Sequence, residues 1–304
     1  MMPQKNSMDV SVIIVSYNTC DLTLRSIESV YQFTKDVAFE IIVVDNDSKD
    51  QTVSKVKEQF PDVILIESKT NEGFGRANNR GAAIAKGEFV LLLNSDAFLT
   101  SNALWEFCQY MRKHVQVGVV GGELSTGRDF ETVSYGNLPS LLEYFSYLGF
   151  KRLYKSYFDT KLASGIVNKT PEEKEVGYVN GADMFIRKSV FDRVGGFDKD
   201  FFLYFEETEL SYRIKKAGYS SRIIPWVTII HLVSFYREKD ADFNFNKHRI
   251  YSQSRFMYFK KCNGLITAYL VNCIMAFIYL LQGITHKNKR NAVKKAFISF
   301  TAHA

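Results

Sequence analysis

The chain has 304 residues, of which 46% are hydrophobic and 24% are charged, and its formal net charge is +6. This composition is typical of a folded protein with one large or two ordinary domains, and it excludes a disordered, collagen-like or polytopic membrane chain. The four cysteines form no Cys-x-x-Cys pair and have no zinc-like spacing with histidine. We therefore expect neither a disulfide framework nor a zinc site, and a reducing compartment.

Apolar strands and amphipathic helices alternate as far as residue 120. Runs of Val, Ile and Leu predict strands at 10–17, 40–44, 63–67, 89–93 and 117–120, and helical spacing predicts helices at 22–33, 53–60, 76–86 and 103–113. Ser48 and Gln51 have the spacing of a capping box for the second helix, and Gly87 is predicted to end the third. This alternation indicates an α/β fold with a mostly parallel sheet covered on both faces.

Polar clusters follow four of these strands, at residues 16–18, 45–47, 71–75 and 94–96. Ligands of open α/β sheets bind in the crevice outside the carboxyl ends of the strands. The clusters therefore predict one binding crevice at this edge of the sheet.

Two kinds of nucleotide site fit such a crevice. A dinucleotide site needs a Gly-x-Gly-x-x-Gly turn after the first strand. The first turn here has no glycine, and the similar residues 73–78 come too late and end in Asn78. The other kind uses a divalent metal on Asp96, which directly follows a buried strand, to hold a diphosphate. For Asp96 alone, a place in a turn or at a helix cap is the alternative.

Several long segments carry a family resemblance. They are VSVIIVSYN, EIIVVDNDS, NEGFGRANNRGAAIAKGEFVLLLNSD and VNGADMFIRKSVFDRVGGFDKDFFLYFEETELSYRIKKAG, followed by His231. In this order they resemble the family 2, A-type (GT-A) glycosyltransferases, in particular their bacterial rhamnosyltransferase-like branch. The resemblance implies a GT-A fold with a nucleotide-diphospho-sugar-binding sheet flanked by helices in residues 8–240. A basic, apolar-centred and membrane-associating helical tail would occupy residues 241–304.

The resemblance also assigns a donor site and a divalent metal, Mg or Mn. Asp96 and His231 would bind the metal, although a lone His after a strand is more often structural. Asn94 replaces the first Asp of the Asp-x-Asp motif, and because an amide carries no negative charge we expect it to bond ribose or phosphate instead. The nucleotide-sugar contacts would come from Val15, Tyr17, Asn18, Asp45, Asn71, Gly73, Asn79, Asn94 and Ser95.

The base that deprotonates the acceptor is expected in the acidic run 206–209. By resemblance Glu207 is the base, and Glu206 is the less suitable neighbour. The aromatic residues at 201–205 would desolvate a carboxyl group and raise its pKa. A single base opposite the leaving group implies inversion at the anomeric carbon. The alternative is that the acids stabilise a helix N-terminus, which we favour for Glu209 with Arg213 as its partner.

A sugar or acceptor pocket is predicted from small and hydrogen-bonding residues near the base. The candidates are Gly181, Ala182 and Asp183, with a tight turn as the alternative, and Trp226, which could stack on a sugar or simply pack.

The tail suggests a membrane surface. Residues 262–285 lack Asp, Glu, Lys, Arg and His, and basic residues flank them. The segment is long enough to cross a bilayer, but basic flanks on both sides favour contact with anionic lipid. A buried core helix or a homodimer interface is the alternative. Nucleic acid is not an expected partner, because the centre of the tail is apolar.

The sequence therefore predicts an inverting hexosyltransferase that moves rhamnose from dTDP-rhamnose to a saccharide or polyprenyl-linked saccharide in surface polysaccharide synthesis. Because residues 1–10 lack a long apolar run, no secretory signal is expected, and the enzyme would be cytoplasmic and peripheral on the inner face of a bacterial membrane. The alternatives are a UDP-sugar donor (galactofuranose, glucose or N-acetylglucosamine) and a non-catalytic nucleotide-sugar-binding scaffold.

Overall fold

A nine-stranded sheet forms the centre of the chain. The computed structural model describes residues 8–127, 132–149, 170–232, 244–285 and 289–302. The strands are β1 (Val10–Ser16), β2 (Phe39–Asp45), β3 (Ile64–Glu67), β4 (Phe89–Asn94), β5 (Ala97–Leu99), β6 (Val117–Ser125), β7 (Tyr135–Gly136), β8 (Lys174–Val176), β9 (Tyr178–Val179), β10 (Asp183–Arg187) and β11 (Ser220–His231). Their order is β3-β2-β1-β4-β10-β6-β11-β5, with β8 beside β11, while β7 and β9 form a separate pair.

Ten helices lie in the described residues. They are α1 (Cys20–Phe33), α2 (Thr52–Gln59), α3 (Phe74–Ile84), α4 (Ala103–Lys113), α5 (Leu141–Tyr147), α6 (Lys188–Arg193), α7 (Glu206–Lys216), α8 (Phe245–Asn263), α9 (Leu265–Thr285) and α10 (Lys289–Thr301).

The first four strands of the sheet confirm the predicted parallel arrangement. β1 lies between β2 and β4 and is parallel to both, so that Val15 is level with Val44 and Asn94. Alternate residues of β1 enter different cores: Ile14 packs with Ile27 of α1, and Ile13 packs with Ala77 of α3. This two-residue period explains why the strands read as continuous apolar runs. β10 and β5 are antiparallel to their neighbours.

Two predicted helix ends are wrong. Helix α2 has no capping box: it begins at Thr52, and the carboxylate of Asp50 accepts the Thr52 amide at 3.0 Å. Helix α3 ends at Ile84, three residues before Gly87. Gly87 is instead required by close packing, because a Cβ there would lie 2.5 Å from the backbone nitrogen of Ser11.

The C-terminal helices share a core with the sheet domain. Phe201 and Phe205, which precede α7, pack in one cluster with Tyr258 and Phe259 of α8 and Val271 of α9. Within the described chain, one helix is long and apolar enough to cross a membrane, at Leu265–Gly283, with a mean hydropathy of 1.9 and 28% of its residues buried.

Candidate active site

Asn94, Asp96 and His231 meet at the carboxyl edge of the sheet. The Asp96 carboxylate oxygen Oδ1 lies 3.3 Å from His231 Nε2, and the Asn94 amide nitrogen lies 3.3 Å from the same ring atom. The contact follows from topology: Ser95 and Asp96 turn the chain between β4 and β5, and β5 pairs with β11 so that Ala97 lies opposite His231. Asp96 thus does lie in a turn, but helix α4 begins too late for it to be a cap.

These residues suit a divalent cation that is shared with a diphosphate. Among the described residues no three His, Cys, Asp or Glu side chains lie close enough together to hold a metal ion. The protein ligands of a cation here would therefore be two, Asp96 and His231. Asp96 is partly exposed, and His231 is buried with a ring nitrogen, Nδ1, that lacks a hydrogen-bond partner in the described structure. Mg²⁺ is usually held by one or two carboxylates together with substrate phosphates and water. A pair at the rim of a crevice fits this pattern.

The ends of β1 and β2 form a polar rim beside this pair. Asn18 and Ser48 connect the two loops, because the Asn18 amide donates to the Ser48 hydroxyl at 2.9 Å. Asp45 is buried; its Oδ2 accepts from the Ser48 amide, and its Oδ1 has no partner among the residues described. A buried carboxylate oxygen without a donor is costly unless a ligand supplies one. This favours Asp45 as an acceptor for a nucleotide N–H or O–H.

Sequence reasoning missed Asn46, which organises the next loop. Its amide nitrogen donates to the Asn71 side chain at 2.9 Å, and its oxygen accepts the Glu72 amide at 2.9 Å. The signal was its place between Asp45 and Asp47 at a strand end. The same loop requires Gly73, which has φ +85°, because a Cβ there would lie 2.2 Å from the Phe202 carbonyl oxygen.

The remaining nucleotide candidates differ in how the fold uses them. Val15 is partly buried and Tyr17 is 48% exposed at the rim. Ser95 accepts a hydrogen bond from the Thr19 hydroxyl at 3.0 Å, which ties the β4 turn to the β1 loop. Asn79 exchanges two 2.8 Å hydrogen bonds with the backbone of Phe197. Both ends of its amide are used within the protein, so Asn79 has a packing role here.

The acidic residues 206–209 form the first turn of helix α7. For Glu209 this agrees with the alternative that its carboxylate stabilises the N-terminus of the helix. Arg213 donates two hydrogen bonds to the Glu209 carboxylate, at 2.7 and 2.6 Å. Glu206 is buried, its Oε2 is without a partner in the described structure, and burial together with the neighbouring Glu207 carboxylate raises its pKa well above the ordinary value. Burial also raises the pKa of Glu207.

Glu207 lines a cavity, and the short segment of Gly181 and Ala182 lies between it and Asn94, which is next to the Asp96–His231 pair. It lines a cavity of about 190 Å³, whereas Glu206 does not. A Cβ on Gly181 would lie 3.9 Å from the Glu207 Cβ, and the next residue, Ala182, accepts a hydrogen bond from the Asn94 backbone amide at 3.1 Å. Gly181 and Ala182 therefore connect Glu207 to Asn94, two residues before Asp96.

Two of the predicted pocket residues, Asp183 and Trp226, make contacts within the protein. Asp183 is completely buried, and its Oδ2 accepts the Gly122 amide of β6 at 2.7 Å, so it is not available to a sugar hydroxyl. Trp226 packs edge-on against Tyr110 of α4 and donates to the Glu106 carboxylate at 3.2 Å. These contacts favour the alternatives stated for both residues: Asp183 follows a turn in which its amide bonds the Asn180 carbonyl, and Trp226 packs on α4 although it is 53% exposed.

Asp183 gives a testable pH dependence. Burial raises its pKa from 3.8 to about 8, so between these values the native state holds a proton that the unfolded chain has released. Stability should therefore be greatest at low pH within this window and decrease as the pH rises. Asp183→Asn keeps an acceptor for the Gly122 amide and removes the titration. We expect melting temperatures measured from pH 5 to pH 8 to fall less in the variant; equal slopes would contradict this assignment.

A sheet whose parallel strands end in polar side chains at one edge belongs to the class of α/β proteins that bind ligands at the carboxyl ends of their strands, and solved structures support this fold. The mannosyltransferase PcManGT from Pyrobaculum calidifontis, solved with GDP-Man and Mn²⁺, aligns with a TM-score of 0.57 at 18% identity over 98% of this chain and 86% of that one. Staphylococcus aureus TarS residues 1–349 align with a TM-score of 0.52 at 17% identity, over 97% and 91% of the two chains. At these identities the likeness shows the GT-A fold.

The chain belongs to glycosyl transferase family 2, whose family model matches residues 11–194. Relatives with rhamnosyltransferase names are among those that match. The N-acetylglucosaminyl-diphospho-decaprenol L-rhamnosyltransferase of Mycobacterium tuberculosis is 25% identical over 63% of this chain, and the match spans 66% of that relative's length. The rhamnosyltransferase WbbL of Escherichia coli is 26% identical over 82% of this chain and 92% of its own length. These matches confirm the predicted resemblance to the rhamnosyltransferase-like branch.

Proposed function

We propose that this protein is an inverting, divalent-metal-dependent glycosyltransferase. One observation supports the proposal: Gly181, which lies against Glu207, is followed by Ala182, whose carbonyl accepts the amide of Asn94 beside the Asp96–His231 pair. When bound at the pair, Mg²⁺ or Mn²⁺ would neutralise the charge that develops on a departing diphosphate.

The residues of the chain would perform the remaining tasks. Asp45 and the rim around Asn18 would bind the nucleoside, and Asn94 would donate a hydrogen bond to ribose or phosphate. Glu207 in its ionised form would accept the proton of the acceptor hydroxyl as that oxygen attacks the anomeric carbon. Displacement on the side opposite the diphosphate inverts the configuration. No covalent nucleophile is required.

For the donor and acceptor we propose dTDP-rhamnose and a lipid-linked saccharide. The M. tuberculosis relative is named for an L-rhamnosyl transfer to N-acetylglucosaminyl-diphospho-decaprenol, and the relative from Myxococcus xanthus is named an O-antigen biosynthesis protein. These names support a role in surface polysaccharide synthesis. UDP-galactofuranose, UDP-glucose and UDP-N-acetylglucosamine are the alternative donors.

A thermal-shift panel tests the donor and the requirement for metal together. A ligand that binds only the native state raises the melting temperature, and the rise increases with the ratio of ligand concentration to Kd. We expect the largest shift with dTDP-rhamnose and Mn²⁺, followed by slow release of dTDP. A shift without any hydrolysis or transfer would support the scaffold alternative, and no shift with any nucleotide sugar would refute the proposed function.

We also propose that α9 and α10 attach the enzyme to an anionic membrane surface. Ile266 and Phe277 of α9 and Phe297 of α10 are 79%, 52% and 68% exposed. The opposite face of α9 packs on α8, where Asn272 accepts a hydrogen bond from the buried Arg255 at 3.2 Å. A helix that crossed the bilayer alone would have to leave this contact, so the packing favours a surface position over a crossing. It would place the enzyme at the cytoplasmic face, beside lipid-linked acceptors.

Vesicle binding tests this attachment. We expect Ile266→Ser with Phe297→Ser to weaken binding to phosphatidylglycerol vesicles at least about tenfold, since burying each side chain contributes about 1.5–3 kcal/mol. Val115→Ser is the matched control, because Val115 is 65% exposed on the turn after α4. Equal losses in both proteins, or none, would argue against attachment through α9 and α10. A dimer interface would instead appear as a change in oligomeric state.

A further inference from the structure

Glu207 lines a cavity to which four separate segments of the chain contribute tyrosine side chains. The 190 Å³ cavity is lined by tyrosines from α5, β9, the segment before α7, and α8, together with the carboxylates of Glu207 and Glu143. None of the tyrosines or Glu143 was among the residues that the sequence pattern selected. The tyrosines are Tyr144, Tyr147, Tyr178, Tyr204 and Tyr251.

The cavity has the size and chemistry of a site for one sugar ring. Its volume is smaller than the roughly 300–1,000 Å³ of pockets for drug-sized ligands, so it does not suit a nucleotide. Aromatic side chains offer flat apolar surface together with a polar hydroxyl group. Carboxylate oxygens accept hydrogen bonds from hydroxyl groups and donate none. Stacking surface with acceptor oxygens at the edge matches a pyranose, which has an apolar face and a rim of hydroxyl groups.

Glu143 is held rigidly in this cavity. Its side chain is 6% exposed, and its Oε1 accepts the Tyr147 hydroxyl at 3.0 Å, one helical turn further along α5. Glu143 and Glu207 both lie near the Tyr178 hydroxyl, because the charge of each carboxylate raises the pKa of Tyr178 in addition to the effect of burial. Gly136 makes room for Tyr178, since a Cβ there would lie 2.4 Å from its ring. Glu143 therefore lines the same cavity as Glu207.

We propose that this cavity is the acceptor-sugar subsite and that Glu143 determines specificity by accepting hydrogen bonds from acceptor hydroxyls other than the one that reacts. This inference rests on the proposed function, and it names the class of acceptor: a pyranose whose reactive hydroxyl faces Glu207. The subsite also lies next to the buried side of α9, because Tyr144 packs in the same cluster as Val271.

Saturation-transfer NMR with methyl glycosides tests the subsite directly. The probes are the methyl pyranosides of N-acetylglucosamine, glucose, galactose and rhamnose, with full-length protein saturated at its tyrosine ring protons. At least one probe should receive saturation from the wild-type protein. Glu143→Gln should weaken its binding about tenfold or more, as expected for the loss of a hydrogen bond to a charged group. The thermal shift caused by the nucleotide sugar should stay unchanged.

Two controls separate this inference from the proposed function. Glu58→Gln, on the exposed face of α2, should change neither signal. Tyr147→Phe removes the hydroxyl that orients Glu143 and should weaken the probe in the same direction, which keeps the test decisive if Glu143→Gln does not fold. Absence of saturation in the wild-type protein, or unchanged probe affinity in the folded variants, would overturn the subsite even where donor hydrolysis is normal. Absence of donor binding with intact probe binding would refute the proposed function alone.

Discussion

Glu207→Gln is expected to reduce sugar transfer by about 10²- to 10⁴-fold, the usual contribution of a general base, while donor binding stays near the wild-type value. Glutamine keeps the shape of the side chain but cannot accept a proton. In the proposed arrangement the donor binds beside Asp96, so its thermal shift should survive. Initial rates with a radiolabelled donor, together with the donor thermal shift, measure the two effects separately.

The neighbouring Glu206 provides the matched control for this substitution. Burial and the charge of Glu207 raise the Glu206 pKa well above the ordinary value, so its carboxyl group is already inclined to be neutral. Glu206→Gln therefore changes little in charge, and we expect transfer within a few-fold of the wild type. A large loss in Glu206→Gln with a small one in Glu207→Gln would reverse the assignment of the base.

The pH profile gives an independent check on the same residue. A base works in its ionised form, and burial raises the pKa of Glu207 above the ordinary 4.5. As the pH falls, kcat/KM should therefore decrease through a midpoint above that value. A profile that stays flat well below pH 5 would contradict desolvation of Glu207.

The sheet was predictable from sequence because its signals are local. Strand β1 and helix α4 follow from apolar periodicity within a few residues, and α4 was predicted with its observed bounds. The polar residues at the ends of β1, β2 and β4 had to meet, because parallel strands end at one edge. Helix ends were less predictable. Position 87 requires glycine because a side chain there would collide with the backbone of Ser11, which is remote in sequence, and not because a helix ends there.

The acceptor side was not predictable in the same way because it is assembled from distant segments. Glu143 and Tyr251 are more than a hundred residues apart in the chain, yet both line the cavity beside Glu207. No periodicity connects them. Asp183 shows the converse case: it is adjacent to Gly181 and Ala182, but strand alternation turns its carboxylate to Gly122 inside the sheet.

Asp96→Asn is expected to abolish the metal-dependent part of donor binding and to lower transfer by at least about 100-fold, because a metal ion supplies several kcal/mol of charge stabilisation at the leaving group. The change keeps the size of the side chain and its place beside His231. Since Asn94 already replaces one acid, the variant would leave the β4 turn with no negative charge to hold a divalent ion.

Asp47→Asn is the matched control, because Asp47 lies at the same edge of the sheet but pairs with the exposed Lys49 at 2.6 Å. Both variants lose one negative charge near the crevice, so a general electrostatic effect would appear in both. We expect the Mn²⁺-dependent rise in melting temperature with dTDP to vanish only in Asp96→Asn, and His231→Gln to weaken it. If that rise persists in Asp96→Asn, the cation binds elsewhere, and the proposed division of the crevice into a diphosphate side and a base side is wrong.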